Sequence, residues 1–145
     1  MKKKYRILVL VATLFLGVLL TQSFNRANAD DYPDIGTKYD LSNIKQYSDD
    51  QLFDSVTFKN FYVKSISFDR HHNERIVFTN VPESKTYFFT VLRGGHKKHL
   101  AVGDSVTLKG DLNGRVTLEK TQANSWFNKS LFGKDAILVL TDSYK

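Results

Sequence analysis

The chain contains no cysteine, and this absence removes disulfide bonds and thiolate metal ligands together. It excludes the small secreted domains whose stability depends on several disulfides. A length of 145 residues is enough for one domain with its own hydrophobic core, and short for two. We therefore expect the packing of apolar side chains to stabilise a single domain.

Acidic residues are missing from the first 29 positions, which hold five of the 21 basic residues. Residues 2–6 are mostly basic, residues 7–20 form an apolar run, and residues 27–29 show the small-x-small pattern that signal peptidase cleaves. The apolar run is shorter than the ~20 residues that cross a bilayer. We expect residues 1–29 to be a signal peptide and the protein to be secreted or extracytoplasmic. An uncleaved N-terminal membrane anchor is the alternative.

A large net charge is also missing once residues 1–29 are removed. The formal net charge of +6 falls to +1, since 16 basic residues remain against 15 acidic ones. Strong attraction to nucleic acid needs a concentrated positive field. We therefore expect a protein or glycan partner outside the cell. Nucleic acid is the less favoured partner, and we expect no stable membrane insertion after cleavage.

The next segment, residues 30–54, is an acidic leader with seven aspartates and two lysines. Ser48, followed by Gln51 three positions later, matches a capping box. This pattern predicts a short helix from Asp49 to about Asp54, with a polar turn as the alternative.

Residues 55–145 have a composition that is typical of β-strands. Apolar and polar residues alternate, and β-branched and aromatic residues are frequent. The first run is apolar on both sides near residues 60–63, which is typical of a bent or bulged strand. Asn113 and Gly114 favour a two-residue hairpin turn, and residues 120–135 are predicted to be a loop. The predicted strands are residues 55–69, 74–80, 85–93, 105–112, 115–119 and 136–141.

Residues 100–110 read LAVGDSVTLKG and resemble the x-x-G-D-x-V-x-V-x-G pattern that opens strand four of OB-fold domains. A long bent strand, two shorter strands and a connector precede this pattern, in the OB order. The resemblance covers roughly residues 55–140 and extends to small bacterial exported OB domains. It implies an all-β fold, mainly strands with a short helix, in a five- to six-stranded OB-like barrel over residues 55–145. A β-sandwich is the structural alternative.

A second resemblance lies in residues 48–61, whose D-D-Q-x-x-x-x-x-x-F-K pattern looks like the opening of the N-terminal OB domain of staphylococcal enterotoxins. Those toxins are secreted, so the resemblance agrees with export. They also carry a second, β-grasp domain, which this chain is too short to hold, and a cysteine loop, which it lacks.

Catalytic motifs are absent from the sequence, which has neither a G-x-S-x-G elbow nor an H-E-x-x-H motif. The four histidines form two pairs, His71 with His72 and His96 with His99. Without cysteine or a suitably spaced glutamate, these pairs are more typical of solvated loops than of a zinc site. We therefore expect no metal, no cofactor and no enzymatic activity.

The candidate ligand-binding residues are basic, histidine and aromatic side chains. Residues 93–99 form the densest basic cluster, and an exposed aromatic residue on strand three is where OB folds stack bases or sugars. The alternatives are a solvated basic loop and a third strand covered on both faces. The candidates are Arg70, His71, His72, Arg75, Tyr87, Phe89, Arg93, His96, Lys97, Lys98, His99 and Trp126.

Antiparallel pairing of predicted strands two and three places Arg75 close to Arg93 and to the turn after strand one. We therefore expect a positive rim at this end of the domain, made by Arg70, His71, His72, Arg75, Arg93 and His96. These patterns favour a non-catalytic binding module that recognises a protein or a surface glycan. The alternative is an exported nucleic-acid-binding protein or a nuclease-like enzyme that uses the rim.

Processing of the N-terminus is directly measurable. Expressed from its first residue in a bacterial host, the chain should appear outside the cytoplasm with an intact mass that begins at Asp30. Ala29→Leu should block cleavage, because signal peptidase needs a small residue at this position. Asn28→Gln, at the unrestricted middle position, should be processed normally. Recovery of only the uncleaved mass from the unaltered chain would support the membrane anchor instead.

Overall fold

The computed structural model describes residues 32–43, 47, 52–93, 99–119 and 128–145, and a compact unit spans Tyr32–Lys145. None of the helices within these residues is long and apolar enough to cross a membrane. The elements are α1 (Ile35–Lys38), β1 (Ser55–Phe68), β2 (Glu74–Thr79), β3 (Tyr87–Leu92), β4 (Ser105–Thr117), a 3₁₀ turn (Lys129–Leu131) and β5 (Asp135–Tyr144).

The five strands form a closed barrel in the order β1-β2-β3-β5-β4, with β4 paired back to β1. All neighbours are antiparallel except β3 and β5, which run parallel. This is an all-β, OB-like barrel and not a β-sandwich. The predicted fold class is confirmed.

Bulges bend the two long strands that close the barrel. In β1 the pairing with β4 shifts between Phe58 and Phe61, where Asn60 adopts a positive φ of 54°. This confirms the predicted irregularity of the first strand. Such an extra residue increases local twist and lets one strand contribute to both sides of a small barrel.

The hairpin predicted at Asn113 and Gly114 is wrong, because both residues lie inside β4. Pairing with β5 runs from Leu112 opposite Val139 to Arg115 opposite Ile137, so the two residues between form a bulge. Gly114 does have a positive φ of 80°, which fits the local preference of glycine. Continuous pairing along β5 thus overrides the turn signal, and the predicted strands four and five are one strand.

Four phenylalanines fill the barrel interior. Phe58, Phe61, Phe78 and Phe88 are buried, and their ring centroids lie 5.1–5.9 Å apart, mostly edge to face. Aromatic pairs in this geometry contribute roughly 0.5–1.5 kcal/mol beyond the burial of their area. Aliphatic residues from all five strands complete this core.

A second hydrophobic cluster lies on the outside of the barrel. It consists of Val77, Phe89, Leu118, Leu131 and Ala136. Phe88 and Phe89 are therefore buried on opposite faces of β3, because side chains alternate along a strand. The segment around the 3₁₀ turn covers the part of the outer face to which Phe89 belongs.

The acidic leader contributes to the first core. Ile35 and Tyr47 are buried there, and the Tyr47 ring packs edge-on against Phe88 at 6.1 Å. The backbone N–H of Thr57 donates to the carbonyl of Pro33 at 2.8 Å, which anchors the leader to β1. These contacts explain why the compact unit begins at Tyr32.

The helix predicted from Asp49 to about Asp54 falls largely outside the described residues, as does its predicted cap at Ser48. Its final positions are described and form a turn at Leu52 and Phe53, where Phe53 has a positive φ of 65°. A right-handed helix does not continue through a residue in this conformation.

Close approach of β4 to β5 predicts a strong effect at Gly110. A Cβ atom added there would clash with the carbonyl oxygen of Leu140 and lie 3.0 Å from Cγ1 of Val139. Gly110→Ala should therefore lower the free energy of unfolding by about 3 kcal/mol, the upper end of the usual cost of overpacking. Denaturant unfolding followed by circular dichroism measures the change.

Gly36→Ala is the matched control, since its new Cβ would meet only ordinary contacts of 3.5 Å and 3.7 Å. Its effect should stay within about 0.5 kcal/mol. Equal stabilities for the two variants would contradict the close approach of the strands at Gly110.

Candidate functional site

The β2–β3 hairpin brings the predicted basic residues to one end of the barrel. Glu74 lies opposite Leu92 and Arg75 lies opposite Val91, so Arg75 and Arg93 line the same surface. This confirms the register expected from the sequence. The turn that carries Arg70, His71 and His72 follows β1 at the same end, while His96, Lys97, Lys98 and Trp126 lie outside the described residues.

The turn between β1 and β2 is organised by one carboxylate. Oδ1 of Asp69 accepts from the backbone N–H groups of His71 and Asn73 at 2.8 Å and 3.0 Å, and Oδ2 accepts from Nδ2 of Asn73 at 2.9 Å. These bonds support the positive φ of 61° at His72. Hydrogen bonds from Asn73, with smaller contributions from His71 and the charge of Arg75, lower the pKa of Asp69 to about 2.

A groove of about 790 Å³ runs beside this turn between the ends of β3 and β5. We call it the β3–β5 groove. Its volume falls within the ~300–1,000 Å³ typical of ligand sites. It is lined by Asp69, Asn73, Arg75, Val91, Leu92, Arg93 and residues 138–144.

Part of the β3–β5 groove is aliphatic and open to solvent. Val91 is 36% exposed and Leu140 is 45% exposed. Leu138 lies between the groove and the second hydrophobic cluster. Exposed apolar surface next to charged groups is typical of a binding site.

The acidic and basic groups of the groove differ in their partners. Asp69 is held by its own turn, and Asp142 accepts a hydrogen bond from the hydroxyl of Tyr32. Within the described part of the chain, neither Arg75 nor Arg93 makes an ion pair, and the buried Nε of Arg75 has no acceptor. A buried donor without an acceptor is costly.

The aromatic candidates on β3 do not form an exposed stacking surface. Phe89 is only 6% exposed and belongs to the second hydrophobic cluster, and Tyr87 is partly buried against the same cluster. The covered alternative that the sequence left open therefore holds for Tyr87 and Phe89, whereas Val91 further along β3 is exposed. The reason is the packing of Leu131 and its neighbours on this face.

His99 lies apart from the groove lining, in a pair that sequence reasoning missed. Its Nδ1 lies 2.5 Å from Oε1 of Glu74, which is buried, whereas the His99 side chain is 83% exposed. Oε2 of Glu74 has no hydrogen-bond partner among the described residues. Nothing in the spacing of residues 74 and 99 signals this pair, because the fold alone brings them together.

Metal-binding geometry is not found in the part of the chain that the structure describes, where no three histidine, cysteine or acidic side chains are grouped suitably. A smaller cavity of about 320 Å³ is lined by Ile66, Phe68, Leu100, Ala101 and Val102. These residues are apolar, so this cavity offers no polar group for catalysis.

Comparison with known proteins gave no match, whether to family models, to curated protein sequences or to solved structures.

The order of the 69–73 turn should depend on pH through Asp69. Asp69→Ala removes the carboxylate acceptors of the turn and leaves its two backbone hydrogen bonds, so it should lower Tm at pH 7. The pKa of Asp69 falls from an ordinary 3.8 to about 2 on folding. Its contribution is therefore complete above pH 3.8 and is lost as the pH falls through about 2. The Tm difference from the unaltered protein should shrink over this range.

Calorimetry across this range checks the prediction, with Glu83→Ala as the control for the loss of one exposed acidic charge. That control should change Tm little. A Tm difference for Asp69→Ala that is as large at pH 2 as at pH 7 would show that the carboxylate charge is not involved.

Proposed function

We propose that the protein is exported and that its barrel acts outside the cytoplasm as a non-catalytic binding module. The observation that carries the proposal is the β3–β5 groove, in which exposed aliphatic side chains lie beside two arginines without ion-pair partners in the described chain. This combination suits a ligand with both apolar and anionic groups. OB folds commonly bind ligands on the face of strands 2 and 3, to which Arg75 belongs.

A protein partner suits the groove better than the other ligand classes. Nucleic-acid binding in such folds uses exposed aromatic rings for stacking, whereas the exposed hydrophobic residues that line this groove are the aliphatic Val91 and Leu140. The near-neutral charge of residues 30–145 also gives little long-range attraction to phosphates. Protein side chains supply aliphatic groups and carboxylates together, which match both features of the groove.

A binding screen tests this proposal. The purified protein is presented to arrays of extracellular proteins, glycans and single-stranded nucleic acids. We expect saturable binding to a protein. Arg75→Gln should weaken that binding at least tenfold, because a hydrogen bond to a charged group contributes about 1.5–3 kcal/mol. Leu140→Asp should weaken it similarly by placing a carboxylate in the aliphatic part of the groove.

Lys85→Gln is the matched control, since it removes one exposed positive charge two residues before β3 and lies outside the groove lining. It should leave the affinity unchanged. Binding that Arg75→Gln and Leu140→Asp do not weaken would place the site elsewhere. Binding only to nucleic acid, with a steep loss of affinity as salt rises, would support the nucleic-acid alternative.

A further inference from the structure

Most residues that line the β3–β5 groove are consecutive in the sequence. It includes every residue from 138 to 144 and the consecutive residues 91–93. Side chains alternate between the faces of a strand, so a cavity on one face touches every second residue. A cavity that touches consecutive residues also meets backbone atoms. The groove is therefore a gap beside the backbone of β5, next to the point where β3 ends at Leu92.

Strand pairing explains where this gap begins. Parallel pairing between β3 and β5 ends with Thr90 opposite Val139, although β5 continues to Tyr144. Oγ1 of Thr90 donates to the carbonyl of Val139 at 2.9 Å, so that carbonyl faces β3. Backbone polar groups alternate in direction along a strand, which directs those of Thr141 into the same gap. Among the described residues, no strand pairs with this edge beyond Val139.

We infer that the groove accepts an extended segment of a partner protein as an added strand, hydrogen-bonded to the edge of β5 at residues 140–143. This inference rests on the proposed function and specifies how the partner is held. An unpaired strand edge is a template for such addition, in which backbone bonds give affinity and alternate side chains give specificity.

The two sides of the gap define the chemistry of the segment. Leu92 and Val139 are buried on the inner side, whereas Arg75 lies on the outer face opposite Val91. An added strand would direct alternate side chains to these two sides. Aliphatic side chains suit the inner side, and carboxylates suit Arg75 and Arg93, which lack ion-pair partners in the described chain. The expected segment therefore alternates aliphatic and acidic residues.

Synthetic peptides test the inference on the purified protein. The probes are a peptide that alternates valine and glutamate, one that alternates valine and lysine, and the first peptide with every second amide N-methylated. The first probe should bind and should slow hydrogen exchange at the Thr141 amide at least tenfold, measured by NMR. The other two should bind at least tenfold more weakly, because they lack the carboxylates or the backbone donors. Arg75→Gln should weaken the first probe, and Lys85→Gln should not.

The outcomes separate this inference from the proposed function. Equal binding of the N-methylated probe, with unchanged exchange at residues 140–143, would overturn the added strand and leave a groove that binds by side chains. Failure of the valine–glutamate probe, with a natural partner still sensitive to Leu140→Asp, would do the same. A natural partner insensitive to both groove variants would overturn both proposals. Slowed exchange at residues 140–143 that depends on protein concentration without peptide would assign the edge to a second copy and overturn the inference.

Discussion

The barrel closes through a short parallel contact between β3 and β5, and the rest of the structure depends on it. Four residue pairs form this contact, whereas β4 pairs with β5 at eight positions. Parallel pairing is also slightly less stable per residue than antiparallel pairing. Side chains on both faces therefore reinforce the closure. Phe88 and Ile137 pack inside the barrel, and Phe89 and Ala136 pack outside it. Beyond the contact, β3 ends at Leu92 while β5 continues to Tyr144, and the groove lies at this point.

The position of the candidate site follows from how the outer face is covered. The segment around Leu131 packs over Phe89 and removes that half of the face from solvent. The leader closes a different part of the barrel, where Ile35 and Tyr47 enter the first core. Among the described residues, one open surface is the end of the β2–β3–β5 face near Arg75. Export, ligand binding and strand addition remain proposals, but the location of the open surface is set by packing.

Sequence reasoning succeeded where local pattern and pairing rules agree. Alternation located the strands, and antiparallel pairing placed Arg75 near Arg93. It failed at Asn113 and Gly114 because a turn preference of two residues is weaker than continuous pairing with β5. It did not decide whether Phe89 is exposed, because the residues that bury it, such as Leu131, are distant in sequence. The end of β3–β5 pairing at Thr90 and Val139, beside which the groove lies, had no local signal.

Arg75 and Arg93 affect how readily the open edge of β5 pairs with another chain. Such an edge can pair with another copy of the same chain and lead to aggregation, and natural proteins guard edges with charged side chains. A second copy would bring its own Arg75 and Arg93 to the same gap, where like charges repel. Asp69 and Asp142 line the same groove, and an accepted hydrogen bond leaves the charge of a carboxylate in place, so these acids offset part of the repulsion. An acidic segment would instead be attracted to Arg75 and Arg93. The same two positive charges therefore disfavour self-pairing and favour a partner of opposite charge, so one feature serves both solubility and specificity.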